Sequence, residues 1–398
     1  MHNSRQEIEQ LTDSTGKDRV SLSELGFIFL KLGTIAFGGP AAHIAMMEDE
    51  FVRKRRWITE EDFLDRVAAA SLIPGPSSTE VGIFIGRSLR GWPGLIVAGV
   101  SFIIPAAVLV SLIAAAYVRF GALPQVEGIL RGIKPVVMAI IIQALWQLGK
   151  KAAKTPTLVL IGIASAVLNG VGVSPLLVLA FAGASSGAVW WLQKSRHSAA
   201  ALCAISFSKM FSPTGLISLA VVAAAPVRLG RLFLSFLKIG SVVFGSGYVL
   251  LAFLRAEFVD HLHWLTEKQL IDSVAVGQFT PGPVFATATF IGYLVGGLPG
   301  AFLATLGIFL PGFVFVAVSG PLIPKIRRSP AAGAVLDGVV VGSLALIAVV
   351  AWQLGKASIT GWFTVSILAV SILAIFRFRI NSAWLILGAG IVGWIAAR

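Results

Sequence analysis

The sequence predicts an all-α polytopic membrane protein: two inverted-topology repeats, each of about five spanning helices plus a re-entrant hairpin. Three observations carry this prediction. The first is composition: 56% of the 398 residues are apolar, 13% are charged and the mean hydropathy is +0.87. A soluble domain carries roughly twice that charge, and several apolar runs here approach the ~20 residues that a spanning helix needs. The second is a repeat. Phe29-Leu-Lys-Leu-Gly-Thr-Ile-Ala-Phe-Gly-Gly-Pro40 returns as Phe236-Leu-Lys-Ile-Gly-Ser-Val-Val-Phe-Gly-Ser-Gly247, 207 residues later. The third is charge placement: Lys and Arg sit in short clusters between apolar runs, as topology determinants do.

The elements follow in order. Residues 1–24 form a polar tail with five acidic and three basic residues and no apolar signal-peptide core. The first repeat covers 25–193. Its first helix runs from about Leu25 to Met47 and is interrupted at Gly38-Gly39-Pro40. A charged connector follows, Glu48 to Asp62, echoed by Arg255 to Lys268 with matches at Glu50/Glu257, Phe51/Phe258 and Trp57/Trp264. It reads as an interfacial helix with both tryptophans at headgroup level.

Phe63 to Gly86 contains Pro74-Gly75-Pro76, and its copy, Leu270 to Gly292, contains Pro281-Gly282-Pro283. Such a centre breaks a helix, because two amide donors are missing and the residue before each proline leaves α space. The flanks, about ten residues each, are too short to span. Each segment is therefore a re-entrant hairpin; the competing reading is a single kinked spanning helix. A Gly-Trp-Pro-Gly turn at Gly91 to Gly94 leads to helices at about Leu95 to Val118, Pro135 to Leu148, Thr157 to Val171 and Pro175 to Leu192. The linker, 194–230, is not counted as a span. The second repeat, 231–398, continues with about Ala301 to Gly320, Val335 to Leu354, Trp362 to Phe376 and Ala383 to Ala396.

With Arg53-Lys-Arg-Arg56 in the cytoplasm and five spans per half, the cytoplasmic side holds twice as many Lys and Arg as the other, which satisfies the positive-inside rule. Five is odd, so the second half enters from the opposite side. Inverted repeats are a frequent plan of secondary transporters. The net charge of +13 is thus a membrane signature, and no nucleic-acid partner is expected. Cys203 is the single cysteine, which excludes an intrachain disulfide and a cysteine-rich metal site. The histidines, His2, His43, His197, His261 and His263, are scattered and form no HExxH or Ser-His-Asp pattern. No enzyme activity, cofactor or metal is expected; a channel is the other rival.

The Phe-Gly-Gly-Pro break, the Trp-Ile-Thr connector and the Pro-Gly-Pro hairpin occur together at these spacings. In that combination the sequence resembles the chromate ion transporter family in its long two-domain form. The resemblance covers nearly the whole chain outside tail and linker. It implies a multi-pass cell-membrane protein that carries the chromate oxyanion, usually as efflux conferring resistance. Sulfate, the look-alike dianion, is the alternative substrate, and homo-oligomerisation is left open. The second copy departs from the first where Gly39-Pro40 becomes Ser246-Gly247 and where Glu80 has no acidic match.

A tetrahedral dianion in a low-dielectric site needs fixed positive ends, which half-helix N-termini and backbone amides supply. The expected substrate-binding residues are Gly38, Gly39, Gly245 and Gly247 at the breaks, and Pro74, Gly75, Pro76, Pro281, Gly282 and Pro283 at the tips. The break glycines have a second reading, close helix packing. Ser77, Ser78 and Thr280 either donate to oxyanion oxygens or bond to their own helices. Lys31 and Lys238 either compensate the dianion or snorkel to the interface. Glu80, Glu50 and Glu257 are the candidate proton carriers; the latter two also fit the interfacial connector. One charge crossing 100 mV is worth ~2.3 kcal/mol, so a dianion leaving a negative cell gains about 4.6. Voltage alone favours export.

Overall fold

The computed structural model describes residues 20–37, 39–121, 123–195, 227–244, 247–319, 329–378 and 380–397. The stretch 201–226, which the sequence reading leaves out of the spans, lies outside them, as do Gly38 and Gly245.

The first broken helix comprises α1 (Leu22–Ile35) and α2 (Pro40–Glu48). Ser21 caps α1 by accepting from the Glu24 amide. Ala36 is extended, and Gly39 takes φ +79°, a conformation glycine adopts without strain. Pro40 then opens α2 at the position where its missing amide hydrogen costs nothing. α2 continues into a π-helical turn, Asp49–Lys54. The connector is therefore not one separate helix: Glu48 to Lys54 extends the broken helix, and Glu60 to Asp62 opens the next one. It folds back onto the core: the Trp57 amide donates to Phe51 O at 2.9 Å, and the Phe51 ring lies 5.1 Å from that of Phe29.

α3 (Glu60–Ala70) leads to the Pro74–Pro76 tip, and α4 (Ser77–Phe120) leaves it. α4 turns back on itself at Arg90 and Gly91, where Gly91 has φ +60°. Its arms 77–90 and 91–120 lie so close that a Cβ on Gly86 would collide with Gly94 O and the Ala98 side chain. The turn is thus one residue earlier than the Gly-Trp-Pro-Gly motif suggests, and Trp92-Pro93-Gly94 already belongs to the outgoing helix. At ~1.5 Å per residue, the 11-residue α3 and the 77–90 arm reach about 16 and 21 Å, short of the ~30 Å hydrocarbon core.

The remaining helices of the half are α5 (Pro124–Ala152), α6 (Pro156–Gly170) and α7 (Pro175–Ser195). α5 starts eleven residues before the expected Pro135. Its first turns carry Glu127, Arg131 and Lys134 and read as loop in the sequence. They are helical because Pro124 sits in the first turn and the charges find partners: Lys268 Nζ lies 2.6 Å from Glu127 and Lys134 Nζ 2.9 Å from Asp272.

The second half repeats the plan: α8 (Val227–Val242), α9 (Leu250–Leu254) with its π-helical turn Arg255–His261, α10 (Glu267–Phe279), the 3₁₀ turn Val284–Ala286, α11 (Thr287–Ser319), α12 (Pro330–Ser358), α13 (Trp362–Phe378) and α14 (Ser382–Ala396). The correspondence reaches the backbone. α11 turns back at Gly296 and Gly297, with φ +60° at the latter. Arg56 and His263, unrelated side chains at matching positions, both take positive φ, 54° and 52°.

Among the described residues, five helices are long and apolar enough to cross a membrane: α4, α5, α7, α12 and the run Val284–Ser319. This is a polytopic, helical membrane protein. Packing within each half joins α1 to α4 and α8 to α11. Packing between halves joins α4 to α11, α5 to α14, and α7 to α12. The fifth helix of one half thus holds the last helix of the other, in both directions.

Candidate functional site

The two Pro-Gly-Pro tips meet the broken helices of the opposite halves. The Gly75 amide donates to Val243 O at 2.8 Å, and the Gly282 amide donates to Ala36 O at 2.9 Å. Ala36 and Val243 are equivalent positions, each just past the end of its half-helix. The arrangement is reciprocal. It also answers what happens to backbone groups freed at a break inside a membrane, which must find partners. Both tip glycines have positive φ, 137° at Gly75 and 93° at Gly282.

The chemistry beyond the backbone differs. In the first half Ser77-Ser78-Thr79-Glu80 follows the tip; in the second, Val284-Phe285-Ala286-Thr287. Ser78 contacts His43 Nδ1 at 3.2 Å, and His43 Nε2 lies 3.1 Å from Ala36 O. A carbonyl only accepts, so Nε2 carries the proton. Nδ1 of the neutral ring is then the acceptor and the Ser78 hydroxyl the donor. His43 was missed in the sequence because its counterpart is Leu250, so the repeat that marks the other site residues does not mark it.

Glu80 is fully buried, and neither carboxylate oxygen has a hydrogen-bond partner among the described residues. Its Oε1 lies against Gly75, where a Cβ would collide with it, and near Gly312 of α11. The Thr79 hydroxyl and the Gln278 amide nitrogen are likewise buried without a partner. Pro76 precedes α4, and no side chain caps the helix; the Thr79 and Glu80 amides donate to Pro76 O, at 2.8 and 3.1 Å, which leaves the Ser77 and Ser78 amides with their donor capacity. Pro74 and Ser77 remain partly exposed, whereas 280–287 is buried throughout.

The other expected residues sort clearly. Thr280 donates to Val276 O at 3.0 Å and Thr287 to Val284 O at 2.8 Å, so the hydroxyls beside the second tip bond to nearby backbone carbonyls. Gly247 lies beside Val284 and Phe285, joining the second break to its own tip. The lysines are not brought to the tips. Lys31 is on the exposed face of α1, and Lys238 is half-exposed and paired with Glu257 at 3.1 Å. Glu50 is held by Arg55 at 2.8 Å. Pro281 and Pro283 are buried in the second tip.

Among the described residues, no group of three His, Cys, Asp or Glu side chains is arranged to hold a metal ion.

Comparison with known proteins identifies the family. The family model described as "Chromate transporter" matches residues 23–190 and 230–394. The chain is 32% identical to a "Chromate transport protein" of Cupriavidus metallidurans, over 94% of this chain and 93% of that one. It is 30% identical to the "Chromate transport protein" of Pseudomonas aeruginosa, over 94% and 92%, and to the "Probable chromate transport protein" of Synechococcus elongatus, over 85% and 86%. No solved structure matches. With both halves matched, and with relatives aligned over nearly their full lengths, this chain belongs to the chromate transporter family.

Proposed function

We propose that this protein carries chromate out of the cell across the cytoplasmic membrane, and that the dianion binds where the two tips cross. The observation that carries this reading is the reciprocal pair of bonds from Gly75 to Val243 and from Gly282 to Ala36. It ties each tip to the helix break of the opposite half, which supports a site between the halves. Secondary transporters bind substrate at such repeat interfaces, with half-helix N-termini aimed at anionic groups. The uncapped start of α4, the Thr79 hydroxyl and the Gln278 amide are the donors for a tetrahedral oxyanion. Gly38, Gly39, Gly245 and Gly247 give the breaks their shape.

The inverted arrangement of the halves has its own support. Residues from the start of α5 and the end of α12 line one cavity, while Lys154 near the other end of α5 pairs with Asp337 near the start of α12 at 2.7 Å. These equivalent helices run antiparallel, as inverted repeats require.

Glu80 is the proton carrier in this reading. Ionised, it sets a negative charge beside the dianion. Protonated, it is a donor to an oxyanion oxygen. Proton and substrate loading are therefore linked by sign. Outward movement is favoured by the membrane potential, ~2.3 kcal/mol per charge per 100 mV.

The test is radiolabelled chromate flux in inverted membrane vesicles, with sulfate as competitor and a protonophore control. Vesicles carrying the protein are expected to accumulate chromate, and the protonophore to alter the rate. Accumulation no faster than in protein-free vesicles overturns the reading. Preferential uptake of sulfate reassigns the substrate.

A further inference from the structure

A second polar cavity lies away from the tips. Its volume is about 780 Å³, and it is enclosed by the first turns of α5, the start of α10, the end of α12 and the end of α14. Arg131, Lys134 and Lys268 line it, together with Ser358, Thr360 and the carboxylate Glu127. With Asp272 behind the wall counted beside Glu127, three cations face two carboxylates, which leaves one positive charge in excess. Lys268 holds Glu127, and Lys134 holds the buried Asp272 behind the wall, which also accepts from the Tyr117 hydroxyl at 2.8 Å. Arg131 has no ion pair among the described residues; its guanidinium lies 5.8 Å from the Phe363 ring centre.

Two further observations point to a ligand. Ser358 is only 5% exposed, and its hydroxyl has no hydrogen-bond partner among the described residues. Several buried or half-buried hydroxyls in these helices donate to the carbonyl four residues back, as at Ser111, Ser241, Ser273 and Ser371; Ser165, Ser319 and Ser343 are buried without a partner among the described residues, but they do not line this cavity. Ser358 does not, and it lines the cavity. An unpaired buried hydroxyl costs ~1–3 kcal/mol unless something from outside takes its hydrogen.

The repeat supplies the second observation, as an internal control. At the equivalent positions of the other half, Arg131 becomes Asp337, Lys134 becomes Val340, Lys268 becomes Glu61 and Ser358 becomes Ala152. Lys154 replaces Thr360 and is neutralised by Asp337 at 2.7 Å. The same backbone plan is thus built without the cation cluster. Lys134 and Lys268 serve ion pairs that hold the start of α5; Arg131, without an ion pair among the described residues, and the unpaired Ser358 hydroxyl are what the fold leaves unexplained.

We propose that this cavity is a second anion site, taking a tetrahedral oxyanion group through Arg131, Lys134, Lys268 and the Ser358 hydroxyl. In the orientation set by the basic residues it opens on the face opposite Arg53–Arg56, so the two membrane faces present unlike mouths. The shared chemistry fits a free dianion of the transported class or the phosphate of a lipid headgroup. Binding here stands apart from the transport reading; only its place at the mouth of the pathway rests on that reading.

The test uses the full chain in phosphatidylcholine nanodiscs, with equilibrium binding of radiolabelled sulfate and chromate, and native mass spectrometry for retained phosphatidylglycerol. Arg131→Asp copies the residue at the equivalent position of the other half, and Ser358→Ala removes the orphan hydroxyl; neither breaks a described ion pair. Wild type is expected to bind two oxyanions per chain. Arg131→Asp should lose one of them, with at least a tenfold rise in its Kd, and Ser358→Ala should weaken the same one severalfold. Phosphatidylglycerol retained by wild type, blocking sulfate and lost in Arg131→Asp, identifies lipid phosphate as the occupant. Unchanged stoichiometry and Kd in both variants, with unchanged lipid, overturns the proposal. If vesicles fail to move chromate while Arg131→Asp still loses a site, the transport reading falls and this one stands.

Discussion

The two Pro-Gly-Pro tips share a backbone and differ in what surrounds it. Each donates its central amide across to the other half's break, and each holds its glycine at positive φ. Around the first, His43, Ser78, Thr79 and Glu80 form a polar pocket with three buried oxygens lacking partners among the described residues. Around the second, Leu250, Val284 and Phe285 are buried, and Thr280 and Thr287 are satisfied by the backbone. Duplication supplied a symmetric scaffold. Most of the unpaired polar atoms at the tips lie on one side of it, with the Gln278 amide nitrogen the exception beside the second tip. Unpaired buried polar atoms are costly. Their concentration at the first tip is what the proposed oxyanion site rests on.

The largest effect is expected at Gly75. A Cβ there collides with Glu80 Oε1, and φ +137° is strained for any other residue. Strain of ~1–3 kcal/mol at the bond joining the halves, added to the collision, should lower chromate flux by about 100-fold in Gly75→Ala, read in vesicles with protein levels matched. Gly282→Ala meets the same backbone restriction and the Ala106 methyl. It should fold less well but disturb no polar pocket. Equal flux losses per folded molecule in the two variants would remove the functional difference between the tips.

Glu80→Gln comes next. It preserves shape and removes the exchangeable proton. Flux is expected to fall on the order of tenfold, ~1.4 kcal/mol, and its response to an imposed pH gradient to disappear. The same gradient response in Glu80→Gln as in wild type would take the proton away from this residue. Thr287→Val, at the equivalent position, should leave the gradient response intact.

How far the site was legible in the sequence follows from the same comparison. The breaks and the tips announce themselves because they recur and because glycine and proline punctuate helices whatever surrounds them. That each tip bonds to the opposite half was not legible, since no periodicity records which half a freed amide will meet. His43 was hidden for a related reason: a single histidine in an apolar run, with leucine in the copy, has no pattern to stand out from. The early start of α5 was lost to its charges. Glu127, Arg131 and Lys134 look like loop until Lys268 and Asp272 are brought opposite them, and those partners lie more than a hundred residues away. For Lys31 and Lys238 the sequence left two readings open. They recur in the repeat, yet one is on an exposed face and the other serves an ion pair.

His43 allows a finer cut. His43→Leu copies the second half and leaves the Ser78 hydroxyl buried without its acceptor. The expected cost is ~1–3 kcal/mol, seen as a lowered unfolding midpoint in detergent. Adding Ser78→Ala removes the orphan, so the double variant should regain most of that midpoint, because losing both partners is nearly neutral. Flux should stay low in the double variant if the bridge orients the start of α4 for substrate. Recovery of flux along with stability would make His43 a packing residue and nothing more.

The smallest effects belong to the lysines. Lys238 is half-exposed, and pairs of this kind contribute ~0–1 kcal/mol. Burial pushes the Glu257 carboxyl up, but the Ser235 hydroxyl and Lys238 together hold it below the ordinary carboxylate value. A depressed folded value stabilises above the unfolded value and is lost as the carboxylate protonates. Glu257→Gln should therefore cost a little stability near neutral pH, with the wild-type and variant midpoints converging only as pH falls below about 4, the unfolded carboxylate range, and through the lower folded value. Lys31→Gln should change neither the midpoint nor, beyond about twofold, the flux, as expected of an exposed cation. A flux loss in Lys31→Gln as deep as that of Gly75→Ala would move the dianion's path to the outer face of α1. The asymmetry of the two tips would then need another cause.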